Sequence, residues 1–203
     1  MNYQQPWQQL DIDISNAIRK DFDFADLLAK SQFAGQPAGL WHFKNDDVDK
    51  ILDPQWMTAI HDQGIPVKNA MVFYREPFYI HPEAHIDVRW NNTPCIAAIN
   101  WTLDLLDDSE MVWYNEPPVP SEIDTTPAAT KYFSWPLHEV EPYWVACKTI
   151  GTVPTLVKTG IPHNIIMRSR PRWAISVRYE DKHLSNWQET VNFFKPWIKD
   201  ADC

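Results

Sequence analysis

Between Val67 and Tyr179 the chain is a succession of short runs rich in β-branched and aromatic residues, each bounded by Pro, Asn, Asp or Gly. The runs are Val67–Tyr74, Phe78–Ile80, Ile86–Trp90, Cys95–Leu103, Met111–Tyr114, Thr155–Lys158, Asn164–Met167 and Trp173–Tyr179. Runs of this length read as strands. About eight strands following a few helices point to a mainly β chain, a sandwich or jelly roll with flanking helices, not alternating β/α.

No repeat, low-complexity tract or composition break divides the chain, and 203 residues suit one domain. Its parts are a helical segment over roughly 1–64, a β-core over roughly 65–180 and a C-terminal helix over roughly 185–198. In the first part, Asp23 is placed to cap a short helix carrying Phe24, Leu27 and Leu28. Asp53-Pro54 is a second helix start, and Gly64 suits its left-handed end. Glu116–Pro142 holds six prolines and little periodicity, which predicts a long surface loop. Ser185 and Gln188 read as a capping box, with Trp187, Val191 and Phe194 as the stripe behind it.

Composition removes several classes. The net charge of −9 repels phosphate backbones, so no nucleic-acid partner is expected. A hydrophobic fraction of 44% against 22% charged excludes disorder as the main state. Five glycines leave no phosphate-cradling loop, and there is no Gly-x-Ser-x-Gly elbow. The first residues lack a basic n-region and an apolar h-region, and no run reaches the ~18 apolar residues of a membrane span. A cytoplasmic location is therefore expected, with Cys95, Cys147 and Cys203 as reduced thiols.

The motif that carries chemistry is His85-Ile86-Asp87. On a strand, residues i and i+2 share a face, so imidazole and carboxylate stand side by side. They supply two legs of a two-His, one-carboxylate site, the ligand set of non-haem Fe(II). His163, at a strand start, is the candidate third leg. A surface ion pair explains His85 and Asp87 equally well on their own. His42, His61, His81, His138 and His183 have no partner at ligand spacing, and Pro82 keeps His81 and His85 from sharing a helical face. Nine positions after His163, alternation puts Arg172, Ala174, Ser176 and Arg178 on one face and Trp173, Ile175, Val177 and Tyr179 on the other. The polar set either faces water or lines an interior, where a guanidinium can clamp a carboxylate.

This order of HxD, distal His and Arg resembles the Fe(II)/2-oxoglutarate-dependent oxygenases. The run Arg172-Trp-Ala-Ile-Ser176 is similar to phytanoyl-CoA-hydroxylase-type members. Ala98–Leu103 and Met111–Tyr114 are similar to aspartyl- or prolyl-hydroxylase-like phage and marine bacterial members. The resemblance covers roughly Val67 to Tyr179. It implies a double-stranded β-helix, with Fe(II) held by His85, Asp87 and His163. For 2-oxoglutarate it implies Arg172 on the distal carboxylate, with Tyr74, Asn100 and Ser176 as further contacts. Many relatives carry Arg-x-Ser where Ala174 stands here, which brings in Arg178, or Arg89, as the alternative clamp. Tyr79 is the competitor of Tyr74.

The reading that follows is a dioxygenase using O2 to hydroxylate a small-molecule or peptide substrate. The segment Glu116–Pro142 is expected to border the site, with Tyr132, Phe133 and Trp135 on the substrate side. A cupin-type protein that binds a metal and a small acid without oxygenation is the alternative. A third reading is a non-catalytic module with a Trp-rich binding surface, which leaves the triad and arginine unexplained.

Overall fold

The computed structural model describes residues 5–89, 91–115, 124–126, 131–180 and 184–199. In chain order the elements are β1 (Trp7–Gln9), α1 (Phe24–Ala29), β2 (Ala38–Lys44), α2 (Pro54–Asp62), β3 (Val67–Arg75), β4 (Glu83–Val88), β5 (Ala97–Thr102) and β6 (Glu110–Tyr114). There follow β7 (Asp124–Thr125), β8 (Lys131–Pro136), α3 (Leu137–Val140), β9 (Trp144–Lys148), β10 (Thr155–Lys158), β11 (His163–Ile166), β12 (Arg172–Tyr179) and α4 (Trp187–Phe194). They make two antiparallel six-stranded sheets, β1-β10-β5-β12-β3-β2 and β7-β8-β4-β11-β6-β9. From β3 to β6 and again from β9 to β12, consecutive strands alternate between the sheets. That winding is a jelly roll, and the chain is mainly β as its strand runs require.

The largest apolar core does not lie between the two sheets. It lies on the outer face of the first sheet, where Ala70, Val72, Ile99, Trp101, Ile175, Val177 and Tyr179 point away from the second sheet. The N-terminal segment, α2 and α4 cover that face with Leu10, Ile51, Leu52, Ile60, Trp187 and Phe194. A smaller core of Met111, Trp113, Ala98, Val157 and Ala146 fills one part of the space between the sheets. Trp113 is fully buried there, stacked on Trp7 at 5.3 Å, and its indole N–H donates to the Lys158 carbonyl at 2.8 Å. A third cluster backs the second sheet, where Trp135 and Phe133 pack with Ile86, Val112 and Val140.

The Asp23 and Asp53 caps form as expected, each carboxylate accepting two backbone N–H bonds. Gly64 follows α2 with φ at +87°, a conformation that glycine adopts without a side-chain clash. Four expectations are corrected. The last helix is capped one residue later than Ser185: Asn186 accepts from the Glu189 N–H, and Glu189 reaches back to the Ser185 N–H and hydroxyl. Phe78–Ile80 is a turn, with Ile80 in an isolated bridge to Ile166. The helical N-terminal part contributes two strands, β1 and β2, to the edges of the first sheet. Glu116–Pro142 is not one loop, because β8 pairs with β4 along its length and buries Trp135. Parts of that segment, Trp90, His183 and Cys203 lie outside the described residues. Cys95 and Cys147 form no disulfide. Among the described residues no helix is long and apolar enough to cross a membrane.

The turn from β10 into β11 depends on Gly160. A Cβ there would stand 2.4 Å from the Cys95 carbonyl oxygen, a backbone atom that cannot swing aside. The same backbone neighbourhood ties β4 to the residues just after β10 and just before β5, with the Asp87 N–H donating to the Thr159 carbonyl and the Cys95 N–H to the Asp87 carbonyl. Gly160→Ala should therefore cost about 1–3 kcal/mol of stability. Urea unfolding of the variant checks this, and unchanged stability would mean that the close approach relaxes freely.

Candidate metal centre

Strand alternation decides which β4 side chains enter the space between the sheets. Ala84, Ile86 and Val88 are buried, and Ala84 and Ile86 pack in the back cluster. His85 and Asp87 therefore point inward. β11 pairs with β4 through a single register point, His163 opposite His85. Antiparallel partners place their side chains on the same face, so both imidazoles meet, with ring centroids 4.5 Å apart. One ligand atom from each of His85, Asp87 and His163 lies within 4.8 Å of the other two. The separation of His85 Nε2 and Asp87 Oδ1 is 3.8 Å.

The donor set fits a divalent first-row metal ion. His163 Nδ1 lies 3.0 Å from the Ile161 carbonyl oxygen, so it carries the proton and leaves Nε2 as the donor. Burial, before any other cause, holds His85 well below its ordinary pKa and lowers His163 as well. Both rings are then neutral at pH 7, with lone pairs available. Burial pushes the Asp87 carboxyl up, but Arg178, with His163 and His85, outweighs it and keeps the group below its ordinary range. Two neutral imidazoles and one carboxylate, with one side of the cluster open to a cavity, are the donor set that a facial metal site requires.

Arg178 completes the centre. Its Nη2 bonds Asp87 Oδ2, and its Nη1 donates to the Ala97 carbonyl at 3.2 Å and the Thr159 hydroxyl at 3.1 Å. Oδ1 is the oxygen left on the side of His85. The inner face of β12 thus lines the interior, as one of the two readings of its alternation required.

In front of His85 and Asp87 lies a cavity of about 340 Å³, walled by Phe33, Leu40, Phe73, Arg75, Tyr79, His81 and Tyr132 among others. A wider groove of about 1060 Å³, running past Arg89, Lys158 and Trp187, holds none of the three donors. Tyr132 sits opposite Asp87 in the β4–β8 pairing and reaches the cavity, whereas Phe133 and Trp135 point to the back cluster. Arg172 is 4% exposed on the inner face, with its Nε 4.0 Å from Asp107 Oδ2 and without a hydrogen bond. Asn100 Oδ1 and Ser176 Oγ, on partnered positions of β5 and β12, are likewise buried without a hydrogen bond. Tyr74 is not brought to Arg172. It pairs with Trp173 across the strands, their rings lie 4.7 Å apart, and Tyr74 borders the same cavity as His85 and Asp87.

Two cavity residues escaped the sequence reading. Arg75 ends β3 and is the true cross-strand partner of Arg172. His81 stands with its ring 6.1 Å from that of His85, brought there by the turn before β4 and not by a helix. A charge closing the Val67–Tyr74 run was the available signal for Arg75. No protein-family model matches the chain, and no curated protein matches it in sequence.

Two outcomes follow from this geometry. Arg178→Met strands a largely buried carboxylate, so the metal-free variant should lose about 3–5 kcal/mol. A divalent cation should recover part of that loss by neutralising Asp87. Thermal unfolding with and without Mn(II) measures both, and equal metal-induced shifts in variant and wild type would refute the coupling. The second concerns pH. Folded His85 and His163 take up protons less readily than unfolded histidines, whose ordinary value is 6.5. Their contribution to the stability of the metal-free protein is therefore full above 6.5 and declines as pH falls below it. His42, held near 4 chiefly by burial, adds to the same slope. Melting temperatures across this range should fall less steeply for His85→Gln than for wild type.

Proposed function

We propose that the protein is an Fe(II)- and 2-oxoglutarate-dependent dioxygenase that hydroxylates a small-molecule or peptide substrate while 2-oxoglutarate is decarboxylated to succinate. The observation that carries this reading is the convergence of His85, Asp87 and His163 on the inner wall of a jelly roll, open on one side to a cavity. Three protein donors leave coordination positions for a chelating acid and for O2. O2 activation and the oxidation of the 2-oxo acid are the chemistry that bound iron and co-substrate supply.

The chain's own groups do the rest. Neutral His85 and His163 present nitrogen donors, and the Ile161 carbonyl fixes the His163 ring. Arg178 fixes Asp87 and turns one carboxylate oxygen toward the metal position. Arg172, with Ser176 and Asn100, carries buried polar atoms that lack hydrogen bonds, which suits the distal carboxylate of the co-substrate, although none of the three lines the cavity in front of His85 and Asp87. Phe33, Leu40, Phe73 and Tyr132 give the cavity dry walls that keep water from the reacting centre.

A non-oxygenating, cupin-type acid-binding protein would use the same donors. The observation on its side is Asp107, which already faces Arg172 and reduces the need for a co-substrate there. The interaction-module reading loses its basis, since among the described tryptophans only Trp144 is largely exposed. Succinate release from 2-oxoglutarate, followed by NMR with Fe(II) and ascorbate, separates the first two. Iron-dependent release that disappears in Asp87→Ala supports the oxygenase. Tight binding of metal and 2-oxoglutarate with no succinate over a panel of amino acids, peptides and lipid acids would favour the binding protein.

A further inference from the structure

Arg75 and Arg172 occupy directly opposed positions on adjacent antiparallel strands, on the face that looks into the barrel. Like charges so placed repel, and burial adds a desolvation cost to each. Arg75 is 8% exposed and Arg172 is 4% exposed. A native interior tolerates such a pair when anions answer it, and Asp107 stands near Arg172 alone. Arg75 makes one hydrogen bond, from Nη1 to the Ile165 carbonyl at 3.1 Å, and its guanidinium lies 5.8 Å from the centre of the Tyr79 ring. Among the described residues no carboxylate pairs with it. Burial, then the charge of Arg172, lowers the guanidinium to about 10, so it remains a cation at neutral pH.

This unanswered cation lines the same cavity as His85 and Asp87. The wall also carries Phe33, Leu40, Phe73 and Tyr79, with His81 as a further polar group near the guanidinium. We propose that Arg75 anchors the carboxylate of an acidic ligand bound in the metal-facing cavity. The site stands on the cavity and its charge, and it extends the oxygenase reading without requiring turnover. A carboxylate suits the planar fork of a guanidinium and the volume left between aromatic walls. The acid is either the 2-oxo acid co-substrate or the compound to be oxidised, and binding separates the two.

The test uses the full chain loaded with Mn(II), titrated calorimetrically with 2-oxoglutarate, phenylacetate, hexanoate and the uncharged phenylacetamide. At least one acid should bind wild type, and phenylacetamide should not. Arg75→Gln should weaken that acid by about tenfold or more, as expected for loss of a charged hydrogen-bond partner. Arg75→Lys, which keeps the charge and loses the fork, should fall between them and covers the case in which Arg75→Gln does not fold. Loss confined to 2-oxoglutarate assigns Arg75 to the co-substrate, and loss confined to the monocarboxylates assigns it to the substrate. The proposal is overturned if no acid binds wild type better than the amide, or if both Arg75 variants bind every acid as wild type does. Succinate release with acid affinities independent of Arg75 would sink this site and leave the oxygenase standing. Acid binding that depends on Arg75 without any succinate would do the reverse.

Discussion

A guanidinium from one sheet and a carboxylate from the other meet inside the barrel, and the centre depends on that meeting. Arg178 belongs to β12 and Asp87 to β4, strands with no backbone pairing between them. Desolvating both groups is costly, and their mutual attraction offsets the cost only with good geometry and further hydrogen bonds. The structure supplies those bonds through Ala97 and Thr159. A one-residue slip of β4 would send Asp87 to the back cluster and bring Ile86 to Arg178. The pair thus selects the register that also aims His85 inward, and register in turn places the candidate metal donors.

An interior that holds charge needs stability from elsewhere. The major apolar core lies outside the barrel, between the first sheet and the N-terminal and C-terminal segments that cover it. Trp113 and its neighbours close part of the interior, and the part beside β3, β4 and β8 is left for a cavity. Among the described residues of the interior, Arg75, Arg172 and Arg178 stand against Asp87 and Asp107, one positive charge in excess before any metal binds, and of these Arg75 and Asp87 line the cavity. An interior of that sign favours an anionic ligand, although the chain as a whole carries −9. Net charge therefore says little about what this site would accept.

The sequence made the periods visible and left the phases open. The two faces of Arg172–Tyr179 were legible, because eight residues of strict alternation leave one way to divide them. His85 and Asp87 on one face followed for the same reason. Which residue of β3 lies beside Arg172 was not legible, because it depends on pairing across strands far apart in sequence. Register puts Arg75 there and pairs Tyr74 with Trp173. The edge strands were hidden for a different reason. Trp7–Gln9 is too short to show a period, and Ala38–Lys44 lacks the β-branched residues that mark strands.

β8 shows how a segment can look like a loop and still build the site. Prolines on both sides hid the alternation of Tyr132, Phe133, Ser134 and Trp135. Proline is tolerated at strand ends, where no ladder donor is needed, so the flanks carried no information about the middle. Once β8 pairs with β4, its outward residues become a lid for the back of the sheet and its inward residues face the donors. Asp124 accepts from Ser134 at 2.9 Å and holds β7 against this strand, which brings Thr125 and Thr126 to the cavity rim. The wall opposite comes from β2 and Phe33, in the segment read as helical. The donors therefore come from the jelly roll's own strands, whereas the cavity's shape comes from two additions at its edges. Changes in those additions can alter which ligand fits without disturbing the register that holds His85, Asp87 and His163 together.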